Sequence, residues 1–211
     1  MLKAKYLKEF FTFPDILIMS ILFLISLSIT FSEWYVLKTW VALVAGMIGY
    51  AASEYLIHRF LFHLKPPRNP FFLQMLKRLH YDHHADPNNL HLLFLPVWYS
   101  LPLIAGIGAI CYLLTSDVIV TNAFVTGVIG FLLFYEWTHY IAHRPVQPIS
   151  LWGRWMKKLH LWHHFKNEHY WYGVTSPVFD VMLGTYKNEQ DVEKSSTVRD
   201  LERRWDKDVE L

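Results

Sequence analysis

Cysteine is almost missing from this 211-residue chain, with Cys111 the single example. That excludes a disulfide-stapled scaffold, a cysteine-rich zinc site and a four-cysteine iron–sulfur cluster. Charge is scarce too. Asp, Glu, Lys and Arg make up 18% of residues and leave a formal net charge of +2, where a soluble domain carries about 25% charged residues. Without a basic excess the chain is no nucleic-acid binder. There is no G-x-G-x-x-G or other nucleotide motif, so reducing equivalents for any redox chemistry must come from outside. Solenoid repeats and low-complexity tracts are absent as well. What is plentiful is apolar surface, at 53% of residues, and histidine, at twelve.

Four apolar stretches are long enough to cross a bilayer as helices, roughly Ile16–Phe31, Val36–Ile57, Leu92–Leu114 and Val118–Tyr135. The first follows Lys3, Lys5 and Lys8, and no small-residue cleavage motif comes after it, which marks a retained span. Short polar links at Ser32–Tyr35 and Thr115–Asp117 make spans one and two, and three and four, helical hairpins. Of the twenty Lys and Arg residues only Lys38 falls on the opposite side from the rest. By the positive-inside rule both termini and the segment between spans two and three face the cytoplasm. The fold expected is therefore all-α, an integral membrane protein of four transmembrane helices with a cytoplasmic helical cap. Residues 1–211 read as one domain with a motif core at about Ala52–Tyr186. The segment Lys187–Leu211, with spaced Val198, Leu201 and Trp205, reads as a solvated charged tail, as a short surface helix or disordered.

Ten of the twelve histidines form four boxes: His58 and His63; His80, His83 and His84; His139 and His143; His160, His163 and His164. Each half of the chain ends a span with a histidine pair and follows it with a HxxHH box. Residues at i, i+3 and i+4 share a helical face, so the histidines of each HxxHH box can converge on a metal, as can His139 and His143 at i, i+4. His58 and His63, five apart, diverge by about 140° on a regular helix, so their span must end or bend there, or they must serve different metals. Ten imidazoles are too many for one four-ligand zinc. They suit two metals with four to five nitrogens each, and iron, copper, nickel and zinc all accept imidazole. His91 and His169 fall outside the boxes and read as structural or solvent-facing.

Glu136 precedes His139 by three residues and Glu54 precedes His58 by four, both near span ends, where carboxylates are functional candidates. Metal-bound histidines commonly donate their second N–H to a carboxylate, a role open to Glu136, Glu54 and Asp180. Tyr135 and Tyr140 flank the third box and either line a substrate pocket or join an interfacial belt. Trp152, Trp155, Trp162, Trp171 and Tyr172 read as interfacial anchors.

The order HxxxxH, HxxHH, HxxxH, HxxHH on four spans resembles the membrane fatty acid hydroxylase/sterol desaturase superfamily, and within it the fatty acid 2-hydroxylase branch. His58-Arg59-Phe60-Leu61-Phe62-His63 followed by Lys65-Pro66-Pro67 resembles that branch's first box. Tyr135-Glu136-Trp137-Thr138-His139-Tyr140 is similar to its Tyr-acid-x-Thr-His-Tyr pattern. Gly173-Val174-Thr175-Ser176, Phe179-Asp180 and Gly184-Thr185 resemble its C-terminal signature. Two departures leave the histidines untouched: His91-Leu92-Leu93-Phe94-Leu95-Pro96-Val97 stands where the branch usually has Arg-Leu-Val-Phe-Pro-Pro, and Glu136 stands where Asp is common.

The resemblance implies two Fe ions held by the ten box histidines, with Zn as an occupant of the isolated protein, and places Tyr135 and Glu136 near the active site. It implies a monooxygenase that inserts one atom of O2 into a C–H bond of a fatty acid or acyl lipid, at C-2. The electron donor would be a separate cytochrome b5-like carrier, or a ferredoxin-type protein with its reductase, since no fused cytochrome b5 domain is found in the chain. The short N-terminal segment leans towards a bacterial inner membrane over endoplasmic reticulum. Alternatives are a sterol or carotenoid hydroxylase or desaturase, against which the HxxxH box and Lys65-Pro66-Pro67 speak. A membrane metal-binding or transport protein is another, against which the one-sided position of the boxes speaks.

Overall fold

A computed structural model of the chain describes residues 4–203, and among these every regular element is helical. Lys3, Arg204, Trp205 and Lys207, used above for charge placement and for the tail, lie outside the described residues. The helices are α1 (Ala4–Thr12), α2 (Pro14–Phe31), α3 (Leu37–Ile57), α4 (Pro70–Leu76), α5 (Asp82–Ala85), α6 (Leu90–Leu93), α7 (Val97–Thr115), α8 (Val118–Ala142), α9 (Leu151–Phe165) and α10 (Val178–Met182). Wider π-helical turns at His58–Phe62 and Lys77–Tyr81 follow α3 and α4.

Four stretches are long and apolar enough to cross a membrane: Pro14–Phe31, Leu37–Phe62, Leu90–Thr115 and Val118–Ala142. Two differ from expectation. The third is broken between Leu93 and Val97, because Pro96 disfavours helix in the residue before it and lacks an N–H, so α7 starts afresh at Val97. The fourth runs seven residues past Tyr135 to Ala142. Glu136–Ala142 is less apolar but contains nothing that breaks a helix, and the chain turns only near Pro145. The helix thus carries His139 on its own last turns.

The residues sort into two compact units. The first, Ala4–Ala52 with Leu95–Trp137, holds the bulk of the four apolar helices. Met19, Ile104, Val128, Ile129 and Leu132 form its core. Its helices approach closely where side chains are small: a Cβ on Gly46 would lie 2.1 Å from the Phe124 carbonyl oxygen, and one on Gly127 would lie 2.0 Å from that of Leu43. Such crossings suit an apolar solvent, in which close van der Waals contact and interhelical hydrogen bonds replace hydrophobic burial as the driving force. The bonds are present: Asn122 Nδ2 donates to the Ser26 carbonyl (2.9 Å) and to Thr30 Oγ1 (3.0 Å), and Thr126 shares its hydroxyl with Ser26 and Thr30. Asp15 caps α7 by accepting the Val97 N–H (2.8 Å).

The second unit, Ser53–Phe94 with Thr138–Leu211, contains every box histidine. Met156, Leu159, Trp171 and Val192 form one apolar cluster, and Leu76, Tyr81 and Leu201 another. This corrects two expectations. Val192, Val198 and Leu201 are buried, so residues 187–203 pack against the unit instead of standing in solvent as a tail. Trp171 and Tyr172 are buried as well and are not interfacial anchors, whereas Trp152 and Trp155 are exposed. Their spacing in a loop gave no periodicity from which burial is readable.

Candidate metal centre

All ten box histidines are buried, none more than 7% exposed. They divide into two sets of five, one of His58, His63, His80, His84 and His163, the other of His83, His139, His143, His160 and His164. Within each set one nitrogen per ring lies within 4.8 Å of all the others.

The division corrects the reading in which the histidines of a HxxHH box converge on a metal together. On a helix residues i and i+4 lie about 40° apart, while i+3 lies about 60° to the other side. His80 and His84 therefore enter one set and His83 the other; His160 and His164 enter one set and His163 the other. Each HxxHH box spans both sets, and the middle histidine crosses over. The pair five apart is explained by backbone. In the π-helical turn His58–Phe62 hydrogen bonds close at i→i+5, which brings His58 and His63 round to the same side.

The hydrogen-bonding pattern bears on what the sets could hold. His58 Nδ1 faces the Tyr172 carbonyl (2.5 Å), His84 Nδ1 that of Val198 (2.9 Å), and His163 Nδ1 that of Tyr170 (2.8 Å). A carbonyl only accepts, so each of these rings carries its proton on Nδ1 and presents a bare lone pair at Nε2. His80 Nε2 lies 3.2, 2.9 and 3.0 Å from the Nε2 atoms of His58, His63 and His84. One N–H satisfies at most one of those three contacts. In the second set His83 meets His139, and His143 meets His160, both at 2.9 Å. Converging lone pairs repel unless a cation lies among them, and metal–nitrogen bonds of about 2.1 Å at right angles separate neighbouring nitrogens by about 3.0 Å. The residues fit a pair of imidazole-bound transition-metal ions.

Burial, and then the neighbouring imidazoles, hold His80, His83, His143, His160 and His164 well below the ordinary histidine value. The rings stay neutral, which is the form that ligates.

The carboxylates act one step further out than expected. Glu54 accepts the backbone N–H groups of Val174 (2.7 Å) and Thr175 (2.8 Å) and the Thr175 hydroxyl (2.5 Å). Asp180, whose carboxyl is pushed up by burial, accepts the N–H groups of Tyr172 and Gly173 (both 2.8 Å) and the Thr185 hydroxyl (2.7 Å). Together they hold the loop whose Tyr170 and Tyr172 carbonyls orient His163 and His58. Trp171, at its centre, sits at φ +58°, an uncommon backbone for a bulky residue, held by Nε1–H donation to the Lys187 carbonyl (3.0 Å). Gly173 is required, since a Cβ there would lie 2.0 Å from the Ser176 carbonyl oxygen.

Glu136 is buried and accepts the Leu95 N–H (3.0 Å), and the Tyr135 ring lies 6.2 Å from that of Tyr50. These contacts tie both residues to the helical unit. Tyr140 is fully buried and stacks on Phe94 (5.8 Å). His91 is exposed, and His169 is 46% exposed beside Glu168. Sequence reasoning missed two residues. Lys157 donates to the carbonyls of Ile141, Arg144 and Val146 and so closes the end of α8. Glu168 is fully buried. Neither has a motif around it, and a backbone carbonyl acceptor leaves no trace in side-chain identity.

The fatty acid hydroxylase family model matches residues 42–185, more than half of the chain. The chain belongs to the fatty acid hydroxylase family. This family member is 34% identical over 151 residues to fatty acid 2-hydroxylase of Rattus norvegicus, covering 70% of this chain and 40% of the relative. It is 33% identical over 153 residues to ceramide very long chain fatty acid hydroxylase scs7 of Schizosaccharomyces pombe, covering 67% and 41%. It is 30% identical over 152 residues to dihydroceramide fatty acyl 2-hydroxylase FAH2 of Arabidopsis thaliana, covering 72% and 62%. Its fold is similar to that of a solved structure of full-length Scs7p in which only the hydroxylase domain is visible. The TM-score is 0.69 and the identity 26%, over 82% of this chain and 66% of that one. The matched region spans about 40% of the length of the rat and fission-yeast relatives.

Proposed function

We propose that this family member is a membrane di-iron monooxygenase that hydroxylates C-2 of an acyl chain, with a dihydroceramide-type acyl amide as the first substrate to try. The two sets of five buried imidazoles carry the reading; the names of the relatives supply the acyl chain and the position. A pair of iron ions bound there supplies the redox chemistry by which O2, two electrons and two protons convert a C–H bond to C–OH and release one water. A separate electron carrier, cytochrome b5-like or ferredoxin-type with its reductase, delivers the electrons.

The chain's own residues prepare the site. The Nε2 lone pairs of the ten histidines face inward. Backbone carbonyls of Tyr170, Tyr172 and Val198 fix three of the rings and raise their donor strength, as hydrogen-bonded partners of metal-bound imidazoles do. Burial keeps water from the nitrogens and keeps protons off them. Tyr135 and Glu136, one turn before His139 on α8, are assigned to the substrate side, where Glu136 also secures the broken third span at Leu95. The distribution of Lys and Arg orients the protein with both termini and the histidines cytoplasmic.

Mass-spectrometric profiling of lipids tests the reading, in iron-supplied cells expressing this chain with a suitable reductase, against cells expressing His83→Ala. A 2-hydroxyacyl pool in the first alone is expected. A desaturated product or a hydroxylated sterol or carotenoid would overturn the substrate assignment.

A further inference from the structure

The segment after Tyr186 has no histidine, yet it reaches the metal ligands through one buried acid. We propose that Glu168 is a positioning residue for His84, acting through a backbone strap at residues 195–198. Glu168 follows α9 and is 0% exposed. Its Oε1 accepts the Ser195 hydroxyl (3.0 Å) and the Thr197 hydroxyl (2.6 Å). The Ser195 N–H donates to the Lys166 carbonyl (2.8 Å), and the Thr197 N–H donates to Ser195 Oγ (3.2 Å). One residue further, the Val198 carbonyl accepts the Nδ1–H of His84 (2.9 Å). Leu201 then buries against Leu76 and Tyr81. His169 Nε2, at the solvent edge, lies 3.6 Å from the same Glu168 oxygen.

The strap is thus tied on one side by a carboxylate and on the other by an apolar contact, with the ligand's acceptor between them. Burying a carboxylate costs free energy that an apolar side chain would spare, so packing alone does not call for an acid here. A short, twice-donated carboxylate does hold the Val198 carbonyl at a fixed point. That point sets the rotation of the His84 ring and keeps its Nε2 lone pair aimed at the first histidine set. Glu54 and Asp180 serve the Tyr170–Thr175 loop in the same manner, so three buried acids support two backbone segments, and both segments present carbonyls to ligands.

The inference rests on the metal-binding reading, and its test separates the two. Purified, metal-loaded full-length protein in detergent is challenged with EDTA, and the metal remaining per chain is counted over time. Wild type is expected to carry two ions. In Glu168→Leu and in Thr197→Val one ion leaves about 10-fold faster or more, while the other leaves at the wild-type rate. Glu168→Gln restores most of the retention, since its amide oxygen accepts the same two hydroxyls. Should Glu168→Leu fail to fold, Thr197→Val removes one donor without changing side-chain volume and gives the same readout. Wild-type release of both ions from the variants overturns the proposal, as does equal acceleration of both, which marks general loosening. Wild-type protein that carries no metal overturns the metal-centre reading, and this proposal with it.

Discussion

Each imidazole in the two sets has two nitrogens with separate duties, and the residue-scale predictions follow from which one a substitution disturbs. His83 and His163 are the crossing members of their boxes, each contributing to the set that its neighbours do not join. His83→Ala removes a ligand from the second set and His163→Ala from the first. Either variant is expected to lose hydroxylase activity and to fall from two metal ions per chain towards one, read by elemental analysis; full occupancy with normal turnover would remove that residue from the site. Acidity should act on all the ligands together. A histidine whose value is depressed by folding contributes its full share of stability above about pH 6.5. It loses that share, at about 1.4 kcal/mol per pH unit, as the pH drops below 6.5 towards the depressed value. His80, His83, His143, His160 and His164 all shift in that direction. Metal retention should therefore fall as the pH drops below 6.5, with a slope of more than one proton. A shallow single-proton curve would show that the rings titrate independently in the open.

At the scale of the element, backbone irregularities place the ligands. The π-helical turn at His58–Phe62 joins two histidines that a regular helix would separate, and the Tyr170–Thr175 loop presents two carbonyls because Glu54 and Asp180 hold its N–H groups. Gly173 is the tightest point of that loop. Gly173→Ala should displace the loop by the clash at Ser176 and weaken metal binding about 10–100-fold, the range seen when outer hydrogen-bond partners of ligands are lost. The chelator challenge measures this directly. Unchanged retention would mean that the carbonyls of Tyr170 and Tyr172 are not needed. Tertiary contact also overrode composition at the C-terminal segment, whose charges concealed the buried Val192, Val198 and Leu201.

For the whole molecule the decisive quantities are the four apolar helices and the placement of cations around them. With Cys111 replaced by Ser, a single cysteine at Trp34, in the link between α2 and α3, should react with a membrane-impermeant maleimide in intact cells. A single cysteine at Glu193 should react only after the membrane is opened. The reverse pattern would invert the proposed orientation and put the histidines on the outer face. Both positions are exposed, so protection in this assay reports the membrane and not burial.

Composition and period made the helical class, the four spans and the ten histidines legible, because apolar run length and residue spacing are one-dimensional properties. The family signature at Tyr135–Tyr140 and Gly173–Thr185 was legible for the same reason. How the histidines divide was not. About a hundred degrees of helical phase sends His84 to one set and His83 to the other, and only the positions of α9 and of the turns after α3 and α4 decide which lone pairs meet. Nor were Glu168, Lys157 and the carbonyls of Tyr170, Tyr172 and Val198 legible, since their role is to fix distances between segments remote in sequence. Only the folded chain closes those distances.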